Sequence, residues 1–383
     1  MIKIIYRLVR NLFYSIFKFK YLDLKEEDKY LVFKETKKYN VDLSKLDIRW
    51  RDKFDFVNNW EQEAYIMHYP NVCYIEPIFG YAINKDKKYL LHTKAGSWGF
   101  LFGSNNDKTP PPDRFVFMLK RRKAIKLGKA ISLNSHANFG KNYWAAYNHV
   151  LGQLCLLKRN GIDLQLPIII PKSMFETTFF QQIIKLNQTL QELKWIVRDD
   201  INYDFKHAQY YECSELYTAK AISYCKEYLI HPLSLFDNIN SNEKDSINRK
   251  IFLTRSTKRA RHIRNNDEIE KIIASYGFEI IDTDNMTVKE QILLFRNVSM
   301  MIALHGAGNI NMIFRYPKQL KFLELNTISY IPSSYMIIAQ QFGYDYDLFF
   351  GSELDGGAHS RSSFYIDPTD FKNKLEEWIK IKQ

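Results

Sequence analysis

Arg255, Lys258, Arg259, Arg261, His262 and Arg264 crowd one short stretch, and the tetrapeptide His305-Gly306-Ala307-Gly308 lies further along the chain. Guanidinium groups keep their charge at any physiological pH and grip phosphate oxygens two at a time. An imidazole donates a hydrogen bond to a phosphate or to a departing oxygen. Glycines where a helix begins let backbone N–H groups, and the positive end of the helix dipole, approach an anion closely. These residue types together suit a diphosphate.

Both stretches follow apolar runs of strand length. Lys250 to Thr254 reads as one strand, and Val298 to Leu304 as another. Helical spacing resumes at Ile310, Ile313 and Phe314, and Leu320 to Leu325 makes the next strand. In a parallel sheet both loops leave the carboxyl edge, where open α/β sheets bind ligands, so they face one crevice. Glu324 lies near the end of the next strand. There it could accept hydrogen bonds from ribose hydroxyls, or pair with the loop arginines.

The flanking text completes the pattern. Asn265 with Glu268 reads as an N-cap pair, Gly277 as a helix end, and Phe278 to Asp282 as a strand. Thr287 with Glu290 reads as a capping box, Ile331 to Phe342 as a helix, and Phe371 to Ile381 as a closing amphipathic helix. The order is β-α-β-α-β-α-β-α, a doubly wound half. Asp282-x-Asp284 reads as turn chemistry, while Asp345-x-Asp347 falls in no assigned element.

Upstream the rhythm is looser. Leu24 to Asn59 reads as charged and helical, and Val72 to Ile83 as strand. Asn142 to Lys158 is helical, Leu166 to Ile170 a buried strand, and Trp195 to Val197 another, which argues for parallel strands with crossovers. Residues 1–22 place Lys3, Arg7, Arg10 and Lys18 opposite Ile5, Val9, Leu12, Ile16 and Phe19, the pattern of a helix lying on a membrane surface or docked on the protein itself. Lys120-Arg121-Arg122-Lys123 is a basic run without interleaved aromatics, and it reads as a solvated turn.

The chain has 383 residues, 46% hydrophobic and 26% charged, which suits two globular domains and excludes a disordered chain. A net charge of +12 favours polyanionic or phosphorylated partners. Cys73, Cys155, Cys213 and Cys225 show no C-x-x-C or zinc spacing and read as reduced core residues.

The run from Arg255 to Glu324 resembles the carboxyl domain of glycosyltransferase family 61. The family pattern is an Arg, a gap, then R-R-I-x-N-E-x-E, a glycine, S/T-x-x-E-Q, and H-G-A-G-x-x-N. This chain supplies Arg255; Arg261, Ile263, Asn265 and Glu268; Gly277; Thr287, Glu290 and Gln291; and His305 to Gly308 with Asn311. Asn142-Tyr143-Trp144 matches the family's N-Y-aromatic opening of a helix. The chain departs at His262, at Asn309, and at Ala145, where the family commonly has His.

The resemblance implies two Rossmann-like domains (the GT-B architecture), a nucleotide sugar held by the second domain, and inversion without an essential metal. The expected fold is therefore α/β with two Rossmann-like domains behind an amphipathic amino-terminal helix. Its parts are 1–22 as a possible membrane-surface anchor, 23–232 as the acceptor-side domain, 233–350 as the nucleotide-sugar domain, and 351–383 as a closing tail and helix. Arg255, Arg259, Arg261, Gly306, Ala307, Gly308, Asn311 and Glu324 are expected at the donor, with His305 assisting departure of the diphosphate.

Inversion needs a base in the first domain. His136 and Asp113 are the sequence's choices, with Glu76 and His149 beside them. The expected partners are a nucleotide sugar, taken as UDP-linked, and a glycan or lipid-linked glycan, with no cofactor, no metal and no nucleic acid. Peripheral contact through residues 1–22 would place the work at the cytoplasmic face of a membrane. A catalytically inactive nucleotide-binding scaffold and a basic nucleic-acid-binding protein are the competing expectations.

Overall fold

A computed structural model describes residues 20–22, 24–44, 46, 48–57, 60–77, 80–90, 114–133, 142–201, 207–239, 248–255, 261–327, 333–353 and 363–380. Of the proposed amphipathic helix over residues 1–22, residues 1–19 fall outside the described residues, and Lys20–Tyr21 is a short strand rather than helix. The chain divides into two compact units. One holds the described residues up to Thr36 with Glu63–Ile222, and the other holds Lys37–Gln62 with Ser223–Gln383. Both are α/β, and both sheets are rich in parallel pairs.

The first sheet has ten strands among the described residues. They are β1 (Lys20–Tyr21), β2 (Leu31–Tyr39), β3 (Trp60–Tyr69), β4 (Cys73–Ile75), β5 (Ala82–Asn84), β6 (Lys88–Tyr89), β7 (Ile125–Ser132), β8 (Ile168–Pro171), β9 (Trp195–Arg198) and β10 (Tyr211–Lys220). β10, β7, β8 and β9 run parallel, while β3 and β4 join β10 antiparallel. β2 corrects the expectation of a helical Leu24–Asn59. Its odd positions turn inward and its even positions outward, but Glu35 and Lys37 sit among the inward set and blur the period-two signal. The Val72–Ile83 run is two strands, β4 and β5, and between them the Glu76 N–H donates to the Tyr81 carbonyl at 3.0 Å.

The second sheet is wholly parallel, in the order β12-β11-β13-β14-β15, with β11 Arg249–Leu253, β12 Glu279–Ile281, β13 Val298–Leu304, β14 Lys321–Thr327 and β15 Asp345–Gly351. Counted from its own first strand that is 2-1-3-4-5, a doubly wound order. Every residue of β14 is buried, as expected of a central strand covered on both faces. Phe252, Ile302 and Leu323 share a core with Ile269 and Ile273 of the Asn266–Ser275 helix and with Phe371, Leu375 and Trp378 of the Pro368–Lys380 helix. Emptying the Trp378 position would cost about 3–5 kcal/mol.

Local signals mostly hold. Thr287 and Glu290 form the capping box, and Gly277 closes its helix at φ +80°. Asn265 stands at the N-cap position and donates to Glu268 at 3.1 Å, but its side chain accepts no helix N–H. Its amide donates to the Ile366 carbonyl at 2.8 Å and its Oδ1 accepts from the Ile366 N–H, so it fastens a distant segment. Asp282 accepts from the Asp284 N–H at 2.9 Å, a turn as read. In the second sheet, β15 is the strand the sequence reading missed. Asp345 and Asp347 lie on it, with Lys321 3.8 Å from Asp345 and Lys374 2.6 Å from Asp347. Their D-x-D spacing therefore belongs to lysine-paired strand positions.

The segment Lys37–Gln62 is fastened to the second unit by polar bonds. Tyr39 donates to the Ser223 carbonyl at 2.6 Å, and the Asp42 N–H donates to Gln340 at 2.9 Å.

Candidate active site

The strand order reverses between β11 and β13, and open α/β sheets bind ligands beyond the carboxyl ends at such a point. Leu253 and Ala303 are register partners there, so Arg255 and His305 leave the sheet side by side, each two residues on. Arg255 Nη1 donates to the His305 carbonyl at 3.1 Å.

His305 is 8% exposed and is held from behind. Ala303 on β13 is the register partner of Glu324 on β14, which brings this fully buried carboxylate under the imidazole. His305 Nδ1 lies 2.6 Å from Glu324 Oε1. The second oxygen of Glu324 accepts from the Tyr346 hydroxyl at 2.5 Å. Burial, reinforced by the Glu324 charge, holds that hydroxyl protonated well above the ordinary tyrosine range. Tyr335 packs its ring 5.2 Å from the imidazole and donates to the Gly306 carbonyl at 2.6 Å. A carboxylate on Nδ1 fixes the tautomer and directs the chemistry of the ring to Nε2.

The turn after His305 leads into a 3-10 helix, Ala307–Arg315, rather than the α-helix expected. Gly306 is extended at φ −175°, a backbone open to any residue. A side chain there would crowd the Arg255 guanidinium, 3.0 Å from where a Cβ would stand. Gly308 meets no such crowding, because its nearest neighbours are Leu253 and Thr283 at 3.6 and 3.7 Å. Asn309 donates to the Leu304 carbonyl, and buried Asn311 donates to Gln291 at 2.7 Å. Asn311 thus braces the 3-10 helix against the Val288–Arg296 helix.

Arg261 is half-buried and takes the left-handed backbone at φ +63°. Past it, Ile263 bridges to Phe364, and His262 Nδ1 lies 3.0 Å from the Ser363 hydroxyl. Lys258 and Arg259 fall outside the described residues. The sequence reading missed Tyr335 and Tyr346, and held Gln291 only as part of the family pattern. Only the register of β14 against β15 points to Tyr346, and that register needs the missed strand.

Of the four candidate bases in the first unit, His136 and Asp113 fall outside the described residues. Glu76 is fully buried and accepts the Tyr81 N–H. His149 is half-buried on the π-helical turn Ala146–Leu151, with its ring edge-on to Trp144. Such turns interrupt α-helices often at functional positions. Burial, then the charge of Lys220, lower its pKa from 6.5 to about 4, so the imidazole is neutral near neutral pH. The helical stretch leading into this turn begins where Asn142 caps the Trp144 N–H at 3.0 Å, as the N-Y-W motif suggests.

The doubly wound sheet gathers Arg255, His305 and a helix start at its switch point, where open α/β sheets bind ligands. Residues 100–321, more than half of the chain, match the family described as Glycosyltransferase 61. The chain belongs to glycosyltransferase family 61 and is a glycosyltransferase by that membership. Among solved structures, E. coli heptosyltransferase WaaC with ADP is similar at 9% identity, covering 65% of this chain and 97% of that one, with a TM-score of 0.31. At that score the likeness carries no weight for ligand or mechanism. No curated protein matches the chain. Among the described residues, no group of three or more His, Cys, Asp or Glu is placed to hold a metal ion, and no helix is long and apolar enough to cross a membrane.

Proposed function

We propose that this chain is an inverting glycosyltransferase that works without a divalent metal. It would move a sugar from a nucleotide-sugar donor, taken as UDP-linked, to a glycan acceptor in surface polysaccharide biosynthesis at the cytoplasmic face of the membrane. The observation that carries the reading is the Glu324–His305 pair standing beside Arg255 at the switch point of the second sheet.

In an inverting transfer the acceptor oxygen forms a bond to the anomeric carbon as the bond to the diphosphate breaks. The electron pair goes to the departing phosphate oxygen, and the acceptor proton goes to a base. Arg255, with Arg259 and Arg261, would hold the diphosphate, and His305 Nε2 would meet the departing oxygen. Fixed donors and charges aimed at such developing charge are typically worth about 10²–10³ in rate. Gly306, Ala307 and Gly308 would line the nucleotide with backbone. Glu324 is assigned to holding His305 rather than to ribose, because it is buried and both of its oxygens are engaged. For the base we assign His149, kept neutral by its surroundings, ahead of His136 and Asp113.

Calorimetric titration with UDP, CMP, GDP and dTDP, without divalent metal and then with it, tests the reading. The expected result is metal-free binding of UDP that Arg255→Ala and Arg261→Ala both abolish. Binding to none of the four, in either condition, would refute the donor site.

A further inference from the structure

The basic run Lys120–Lys123 has no part in the donor site, yet it sits at an unusual corner of the first unit. The Arg114–Lys120 helix buries Val116 and Phe117 in a core with Tyr81, Tyr89 and Tyr210. Burying those two turns Met118 and Leu119 outward, 37% and 49% exposed. The chain then passes through the 3-10 turn Arg121–Lys123 and enters β7 at Ile125, itself 46% exposed. Three large apolar side chains thus stand in solvent around a cationic turn.

No acidic residue occurs from Arg114 to Ser132. Arg122, Lys123 and Lys126 are exposed, and none of them has an ion-pair partner among the described residues. Further along the same strand, Lys129 is paired with Glu215 at 2.9 Å. Glu212, the register partner of Lys126, is hydrogen-bonded to Tyr74 instead.

We propose that this corner is a docking surface for an anionic lipid bilayer, with Met118 and Leu119 entering the headgroup boundary and Arg122 and Lys123 meeting lipid phosphates. A polynucleotide would satisfy the cations and leave the apolar side chains in water. A bilayer interface offers negative charge and an apolar layer a few ångströms apart, which is the combination displayed here. The surface is distinct from residues 1–22 and does not depend on the donor-site reading, because lipid binding is measured without any sugar nucleotide.

The test is co-sedimentation of the full chain with phosphatidylcholine vesicles, and with vesicles that also contain phosphatidylglycerol, at physiological ionic strength. Two paired variants are compared with the parent: Met118→Glu with Leu119→Glu, and Arg122→Glu with Lys123→Glu. The parent should bind the anionic vesicles and bind neutral ones weakly. Each paired variant should lower the affinity for anionic vesicles about tenfold or more, since each basic residue near such a surface is worth several-fold. A parent that ignores vesicles, or binds both kinds equally, overturns the proposal. So does unchanged binding in either variant, which would place the contact on another surface. Tight binding of single-stranded DNA without vesicle binding overturns it in favour of a polyanion site.

Discussion

Glu324 and His305 rise from neighbouring parallel strands and meet at 2.6 Å, Oε1 against Nδ1, with the carboxylate wholly out of solvent. A buried acid with one partner on each oxygen is a fixed support. Its effect on catalysis must pass through the imidazole it holds.

Glu324→Gln and His305→Ala should each lower kcat by about 10²–10⁴-fold while donor KM changes little. Because the two act as one unit, the double variant should be no slower than His305→Ala alone. Steady-state kinetics on the three proteins decide it. Multiplicative losses in the double variant would mean that Glu324 has a separate role.

Tyr346→Phe removes the hydroxyl from the second Glu324 oxygen. Leaving that buried acceptor without its donor should cost about 1–3 kcal/mol of stability, read from the urea midpoint at unchanged slope. An unshifted midpoint would mean that another donor takes the place of the hydroxyl.

Gly306 and Gly308 should part company. In Gly306→Ala the new methyl meets Arg255 at 3.0 Å and pushes the guanidinium off the His305 carbonyl. Donor affinity should fall by about tenfold, the scale of one charge-assisted hydrogen bond, with the melting temperature nearly kept. Gly308→Ala has ordinary contact distances and should bind donor nearly as the parent does. Equal losses in both would point to the backbone of the turn rather than to Arg255.

His149 gives the fold a sensitivity to acid. Its pKa is lowered to about 4 by burial and then by Lys220, against 6.5 for the ordinary imidazole. Between those values the unfolded chain binds a proton that the folded chain does not. Stability therefore falls as pH is lowered through this window, by up to about 1.4 kcal/mol per unit. His149→Gln should flatten that part of the stability–pH curve, measured by denaturant unfolding at several pH values. A parent with constant stability from neutrality down to the lower pKa would contradict the assignment.

The second sheet was largely legible because parallel strands covered on both faces are plain apolar runs, and the capping residues Thr287 and Glu290 mark a helix start without tertiary help. The closeness of Arg255 and His305 followed from topology alone, since both leave one edge. The pairing of Glu324 was hidden because it depends on register, which places Ala303 opposite it, and on β15. β15 itself was obscured by Asp345 and Asp347, whose charges fall in no assigned element until Lys321 and Lys374 are seen beside them. In the first unit, β2 has inward polar residues and β10 changes partner direction between β4 and β7, and neither leaves a mark in local sequence.

Residues Ser352 and Ser363–Ile366 close around the end of the arginine loop: Phe364 bridges Ile263, Tyr365 bridges Ser352, and Ile366 bonds Asn265 across 101 positions. During synthesis, therefore, β11 and its loop leave the ribosome long before the residues that brace them. The central sheet can assemble on the nascent chain while the loop carrying Arg261 still lacks its brace. Sugar-nucleotide affinity should appear as a late, abrupt gain once residues near 366 have emerged.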